Sequence, residues 1–286
     1  MKDKMQMGHG IFRAVILLMA IAIPMAARAQ QAMTAPPVLW VEREMVAKGK
    51  APAHTEVVHK ILEQYESHHF GFHVLGISAI VPDQDEAMFL IGFDSFAAIE
   101  DYEKSFAAQP AEVQKSLLDL ESQEDAMHAS KQNMVAVFRP DLSYRADASV
   151  MAKARLLLVD QFTVTLGHMP DYESDVKFLK AASERAGVDE HYFVYQTIGG
   201  AESQTVIVLR PLQSLAELDK ASETGEKLRN SLDKAGRERL RRLWKDSVLQ
   251  GTGQSVDRLY VIRPDLSLVS DGFAALDPNY WRPKKP

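Results

Sequence analysis

The chemistry-bearing residues are densest early in the chain, in the run His54-Thr55-Glu56-Val57-Val58-His59. Its outline is that of a zinc-binding helix, but the two histidines stand five positions apart where such a helix needs four. At about 100° per residue they point about 140° apart, so a regular helix cannot turn both toward one ion. His68, His69 and His73 follow, and residue types alone allow a site built from His54 or His68 with a carboxylate such as Glu42. A polar helix end with solvated histidines accounts for the same residues, and the second half of the chain keeps almost none of them. The expectation is therefore no dedicated metal site, and no cofactor is assigned. With Ile61 as reference, His54 falls at about 20° and His68 at about −20°, within the arc of Val57, Val58 and Tyr65, while His59 falls near 160°. His54 should then face a sheet and His59 water.

The ligand-binding residues expected from this geometry are His54 with Trp40, Glu42 and His73 as neighbours between helix and sheet. Tyr172 and Asp160 occupy the corresponding places of His54 and Glu42 further along the chain. The plainer role of His54 and Tyr172 is to close the end of a core with a hydrogen bond to backbone. No catalytic residue is assigned. Gly76-Ile77-Ser78 lacks the second glycine of a nucleophile elbow, and the chain has no cysteine. Gly251-Thr252-Gly253 follows a helical stretch and precedes a strand, the reverse of a phosphate-cradling loop, and reads as a C-cap and turn.

The elements that must carry these residues come in two matching series. Val135-Ala136-Val137-Phe138-Arg139-Pro140-Asp141-Leu142-Ser143 returns as Leu259-Tyr260-Val261-Ile262-Arg263-Pro264-Asp265-Leu266-Ser267. Trp40-Val41-Glu42 aligns with Leu158-Val159-Asp160, Gly49 and Pro52 with Gly167 and Pro170, and Ser95-Phe96-Ala97 with Ser214-Leu215-Ala216. Such self-similarity reads as a tandem repeat, residues 38–144 and 156–268, with 145–155 as linker and 269–286 as a tail that packs by its aromatics. Arg139 and Arg263, each before a proline and two residues from an aspartate, read as strand terminators rather than a paired anion site.

Each repeat shows the same change of hydrophobic period. Strand-like Val38 to Val46 and Leu156 to Val164 each lead through a glycine turn to a proline suited to the first turn of a helix. Val57, Val58, Ile61, Leu62 and Tyr65 then mark one face of an amphipathic helix. Two strands follow in each repeat, Phe72 to Val81 with Ala87 to Phe93, and Tyr192 to Ile198 with Thr205 to Arg210. A second helix, N-capped by Ser95 or Ser214, is expected to break around Pro110 and near Gly225. A last strand enters Arg-Pro-Asp-Leu-Ser. The order is βαββαβ twice, the ferredoxin-like plan, in the α+β class. The second helix argues against a pair of βαβββ modules of the glyoxalase type. Each four-stranded sheet leaves one face bare, and the two repeats are expected to pair as an intramolecular α+β barrel.

In Val41-Glu42-Arg43-Glu44, in Ala47-Lys48-Gly49-Lys50 leading into a helix, and in the repeated element order, the chain resembles the dimeric α+β barrel superfamily. The resemblance is to its NIPSNAP-like and antibiotic-biosynthesis-monooxygenase-like branches and covers nearly the whole chain after residue 29. It implies a protein whose relatives include cofactor-free oxygenases and haem enzymes, so fold alone does not select an activity.

Lys2, Lys4 and Arg13 flank an apolar run from Ala14 to Ala27 that ends in Ala27-Arg28-Ala29, the layout of a signal peptide over residues 1–29 with cleavage before Gln30. The apolar run is shorter than the roughly twenty residues of a spanning helix. Export to the periplasm or the exterior is expected, without disulfides because there is no cysteine. Removing residues 1–29 leaves 29 basic against 38 acidic residues, which disfavours nucleic acid or anionic lipid as partner. The function expected is binding of a small, partly apolar ligand between sheet and helices by a monomer. The alternatives are a cofactor-free or haem-associated oxygenase and a protein-interaction module of the cell envelope.

Overall fold

The computed structural model describes residues 35–81, 85–202, 204–245, 249–250 and 256–283. The expected signal peptide, the Gly251-Thr252-Gly253 turn, Pro82-Asp83-Gln84 of the first hairpin and Lys284-Lys285-Pro286 lie outside them. Among the described residues no helix is long and apolar enough to cross a membrane.

The first half runs β1 (Val38–Val46), α1 (Ala51–Ser67), β2 (His73–Val81), β3 (Glu86–Phe93), α2 (Phe96–Ala107), α3 (Ala111–Asp125) and β4 (His128–Phe138). After the short α4 (Ala148–Lys153) come β5 (Leu156–Val164), α5 (Met169–Ala186), β6 (Phe193–Gly199) and β7 (Thr205–Leu212). A 3-10 turn, Leu215–Lys220, leads to α6 (Ala221–Asn230), α7 (Lys234–Lys245), β8 (Leu249–Gln250) and β9 (Val256–Ile262), and the short α8 (Asp271–Ala274) and α9 (Pro278–Trp281) end the chain.

Eight strands close into an antiparallel barrel in the order β7-β6-β4-β1-β3-β2-β9-β5, with β5 returning to β7 and β8 extending from β5. The two halves join where β2 meets β9 and where β4 meets β6. Closure removes exposed strand edges, which an isolated four-stranded sheet would leave unpaired.

Strand parity divides the residues between two cores. Leu39 and Val41 of β1, Ile77 and Ala79 of β2, Met88 and Leu90 of β3, and Leu157 and Val159 of β5 point inward and pack with Phe193, Tyr195, Tyr260 and Ile262. The alternate residues Val38, Val74, Ala87 and Phe89 point outward and are covered by α1, α2 and α3 through Val58, Tyr65, Tyr102 and Leu117. One end of the barrel interior is polar, where Arg43 donates to both oxygens of Glu86 at 2.8 and 2.9 Å and the Tyr260 hydroxyl donates to the same carboxylate.

Arg-Pro-Asp-Leu-Ser acts at the seams between the halves. In each copy the arginine holds its aspartate through two hydrogen bonds, Arg139 to Asp141 at 3.0 and 2.9 Å and Arg263 to Asp265 at 2.9 and 2.6 Å. The Arg139 guanidinium holds the Asp141 carboxyl down at about 2. Gly76 of β2 runs so close to the second copy that a Cβ there would stand 2.1 Å from the Leu266 carbonyl oxygen.

Three expectations are corrected. The second-half helix does not break near Gly225, which lies inside α6; the break falls after Asn230, where Asp233 Oδ1 accepts from Gly236 N at 2.7 Å. Glycine weakens a helix by about 1 kcal/mol but, unlike proline, blocks no hydrogen bond. Ser95 caps α2 by accepting from Ala98 N at 3.1 Å, whereas Ser214 makes no such bond. Strand β7 continues through Pro211 to Leu212, because β6 pairs only as far as Leu209 and demands no N–H from Pro211.

Candidate functional site

Glu44, His54, Glu124 and His128 meet under the helices of the first half. Outward parity on β1 carries Glu44 two residues beyond Glu42 on the same face. The turn at Gly49, with φ 79°, and Pro52 start α1 so that His54 in its first turn looks back at the sheet. Helix α3 packs beside α1, with Tyr65 OH donating to Glu121 Oε1 at 3.1 Å, and Glu124 follows one turn later. A tight reversal, Met127 N to Glu124 O at 2.8 Å, then brings His128 in as the first residue of β4, paired with Val46.

His54 Nε2 lies 3.0 Å from Glu44 Oε2 and 3.5 Å from Glu124 Oε1, and His128 Nε2 lies 3.4 Å from Glu44 Oε2. Side-chain exposure is 0% for Glu44, 3% for His54, 4% for His128 and 10% for Glu124. Lys131 Nζ reaches the other Glu44 oxygen at 3.1 Å. Burial works to raise the Glu44 pKa, but the contacts from His128 and His54 and the Lys131 charge outweigh it and bring it to about 2. Burial, then the charge of Glu44, push Glu124 up to about 8.

A cavity of about 260 Å³ lies beside this cluster, between the sheet and α1 to α3. Trp40, Tyr65, Phe72 and Tyr102 wall it, and Glu124, Asp125 and Lys131 at its polar end connect it to the cluster. Burial raises the pKa values of Glu42 and Glu121 in its lining. The indole Nε1 of Trp40 is buried and has no hydrogen-bond partner.

Trp40 and Glu42 therefore lie together in the sheet–helix cavity, and His54 lies next to it, joined through Glu124. His73 does not join them. Inward parity on β2 turns it to the barrel side, where with Asp94 it rims a second cavity of about 420 Å³, lined by Leu39, Leu75, Leu90, Phe193 and Leu209. Its neighbour Val74 is the residue that faces the helices. In the second half Tyr172 is buried against Phe162, ring centroids 5.5 Å apart. Asp160 is 3.0 Å from Arg210 Nη2 and stands opposite Asp257 of the paired strand β9; burial chiefly, with the Asp257 contact, pushes its pKa up to about 6 against the pull of Arg210. His59 is half-exposed and lies 3.4 Å from Asp265. Sequence reasoning missed Glu44, Glu124, His128 and Lys131. The parity shared by Glu42 and Glu44 was the one local signal available.

The closed eight-stranded antiparallel barrel with helices outside it places the chain in the α+β barrel class. No family model matches the chain, and no curated protein matches it. Among solved structures it is similar to a candidate monooxygenase from Lactobacillus acidophilus, with 7% identity, 82% of this chain and 96% of that chain covered, and a TM-score of 0.49. It is also similar to an anthrone oxidase-like protein, with 12% identity, 82% and 93% covered, and a TM-score of 0.46. Chlorite dismutase from Candidatus Nitrospira defluvii in complex with imidazole gives 9% identity, 88% and 99% covered, and a TM-score of 0.46. These are likenesses of shape, and no activity of this chain follows from them.

Proposed function

We propose that the chain binds a small, partly apolar organic cation in the cavity between the sheet and the helices of its first half. The carrying observation is the lining: aromatic walls, and around them Glu42, Glu103, Glu121, Glu124 and Asp125 against the single ammonium of Lys131. Crowded carboxylates at a poorly hydrated site repel one another, and a bound ammonium relieves that repulsion while the rings receive its apolar body. The unpartnered Trp40 Nε1 offers a hydrogen bond to any acceptor the ligand carries. A haem-associated oxygenase is supported less by these residues, since the crowded carboxylates of the lining oppose haem propionates.

Melting curves of the purified chain with 2-phenylethylamine and with 3-phenylpropanoate test this reading, because the two share an apolar body and differ in charge. The amine should raise the melting temperature and the carboxylate should not. Stabilisation by the carboxylate alone would refute it.

Three further readings belong to the proposal. The halves descend from one duplicated ferredoxin-like unit, supported by the two Arg-Pro-Asp-Leu-Ser copies and by the left-handed Gly49 and Gly167, φ 79° and 86°, in matching turns. The runs Val41 to Glu44 and Ala47 to Lys50 favour a NIPSNAP-like or antibiotic-biosynthesis-monooxygenase-like branch. Export rests on the sequence of residues 1–29.

A further inference from the structure

We propose that Glu44, His54, Glu124 and His128 form a binding site for one divalent transition-metal ion of the zinc type. The inference is independent of the organic ligand proposed above, although Glu124 borders both places.

Four elements each bring one donor to this point: β1, α1, the last turn of α3 and the start of β4. One ligand atom from each residue lies within 4.8 Å of all the others. Zinc bonds to imidazole nitrogen and carboxylate oxygen are about 2.0–2.2 Å, so ligand atoms at the corners of a tetrahedron stand roughly 3.3–3.6 Å apart. The contacts of 3.0, 3.4 and 3.5 Å among these side chains are already near that spacing. Only the widest separations have to close by about an ångström.

The histidine spacing that ruled out a metal helix in the sequence does not apply here. The second imidazole comes from His128 on another element, and its ring centroid lies 5.2 Å from that of His54.

A second observation points to an occupant. His128 is more than nine-tenths buried, yet neither ring nitrogen closes to a hydrogen bond of good geometry: Nε2 stands 3.4 Å from Glu44 Oε2 and Nδ1 3.6 Å from Asp125 Oδ1. Buried polar groups in folded proteins are nearly always satisfied, and an unsatisfied imidazole costs about 1–3 kcal/mol. A metal ion at the centre of the cluster would take up a His128 nitrogen as a ligand. Lys131, 3.1 Å from the other Glu44 oxygen, would orient that carboxylate from outside the coordination sphere. Two nitrogens with two oxygens suit a borderline ion such as Zn²⁺, and suit less well Ca²⁺ or Mg²⁺, which prefer oxygen throughout.

The test uses the purified chain, stripped with a chelator and titrated with Zn²⁺ by calorimetry and with Co²⁺ by visible absorption. One equivalent should bind, with Co²⁺ giving d–d bands of a four-coordinate nitrogen–oxygen site. His128→Ala and Glu44→Gln should each weaken Zn²⁺ binding by about 100-fold or more and abolish those bands, while His73→Ala, at the barrel mouth, should bind as the parent does. Circular dichroism checks that the variants are folded. If His128→Ala is not, X-ray absorption of the zinc-loaded parent decides, with imidazole scattering expected. Failure of the parent to bind Zn²⁺, absence of imidazole from its coordination, or full binding by a folded His128→Ala chain would overturn the proposal. An amine that fails to bind alongside one equivalent of zinc would remove the organic ligand and leave this site standing.

Discussion

Ser143 Oγ accepts the backbone N–H of Val194 at 2.9 Å while donating to the Arg139 carbonyl at 2.8 Å, and so pins the end of β4 to β6 of the other half. Ser267 repeats the arrangement at the second seam, accepting from Gly76 N at 2.9 Å and donating to Arg263 O at 2.6 Å. Each hydroxyl thereby satisfies a backbone donor and a backbone acceptor where strand pairing between the halves gives way to a turn. Ser143→Ala should cost about 1–3 kcal/mol in urea denaturation, because the Val194 N–H is left buried and unbonded. Ser267→Ala should cost a similar amount. Unchanged midpoints in both variants would show that the serines are incidental to closure.

Gly76 provides a sharper test of the same seam. A methyl group there meets the Leu266 carbonyl oxygen at 2.1 Å, a contact that only a backbone shift can relieve. Gly76→Ala should therefore destabilise by about 3 kcal/mol, toward the upper end of overpacking costs. Gly71→Ala, whose Cβ meets nothing within 4 Å, serves as the control and should be nearly neutral. Equal melting temperatures for the two variants would contradict the close approach.

The pH dependence of stability should carry a signature of Asp160. Its folded pKa, about 6, lies above the ordinary value of 3.8, chiefly because burial disfavours its charge. The folded chain thus holds this proton more tightly than the unfolded chain does. The resulting stabilisation is complete below about pH 3.8 and is lost as the pH rises through about 6. Asp160→Asn removes that loss and should be more stable than the parent at pH 7.5, by on the order of 2 kcal/mol, with the difference shrinking toward pH 4. A stability difference that does not change with pH would rule out titration of Asp160 as its source.

Trp281 ties the C-terminal segment to the barrel. Its side chain is buried, its Nε1 donates to Ala152 O at 2.7 Å, and Phe273 and Tyr280 pack edge-on against it. Trp281→Ala should cost about 3–5 kcal/mol, the range for removing a buried tryptophan. Phe273 in the same segment lines the barrel-mouth cavity, so the variant should also bind an apolar fluorescent dye more strongly than the parent. A loss below 1 kcal/mol would mean that the tail merely rests on the barrel.

The sequence by itself determined the main order of strands and helices, the sheet-facing side of α1, and the turns at Gly49 and Gly167, because these depend on side-chain period and backbone sterics within a few residues. It also placed Trp40 and Glu42 on one face and turned His54 toward the sheet. His73 went wrong at the same local level, since a strand that exposes Val74 to the helices must turn His73 the other way. The cluster of Glu44, His54, Glu124 and His128 was decided only by the tertiary structure. Its members sit on four elements, and their meeting depends on how far α3 slides along α1 and where β4 enters the sheet. Barrel closure and helix packing fix those offsets through contacts between residues far apart in the chain, and no local period records them.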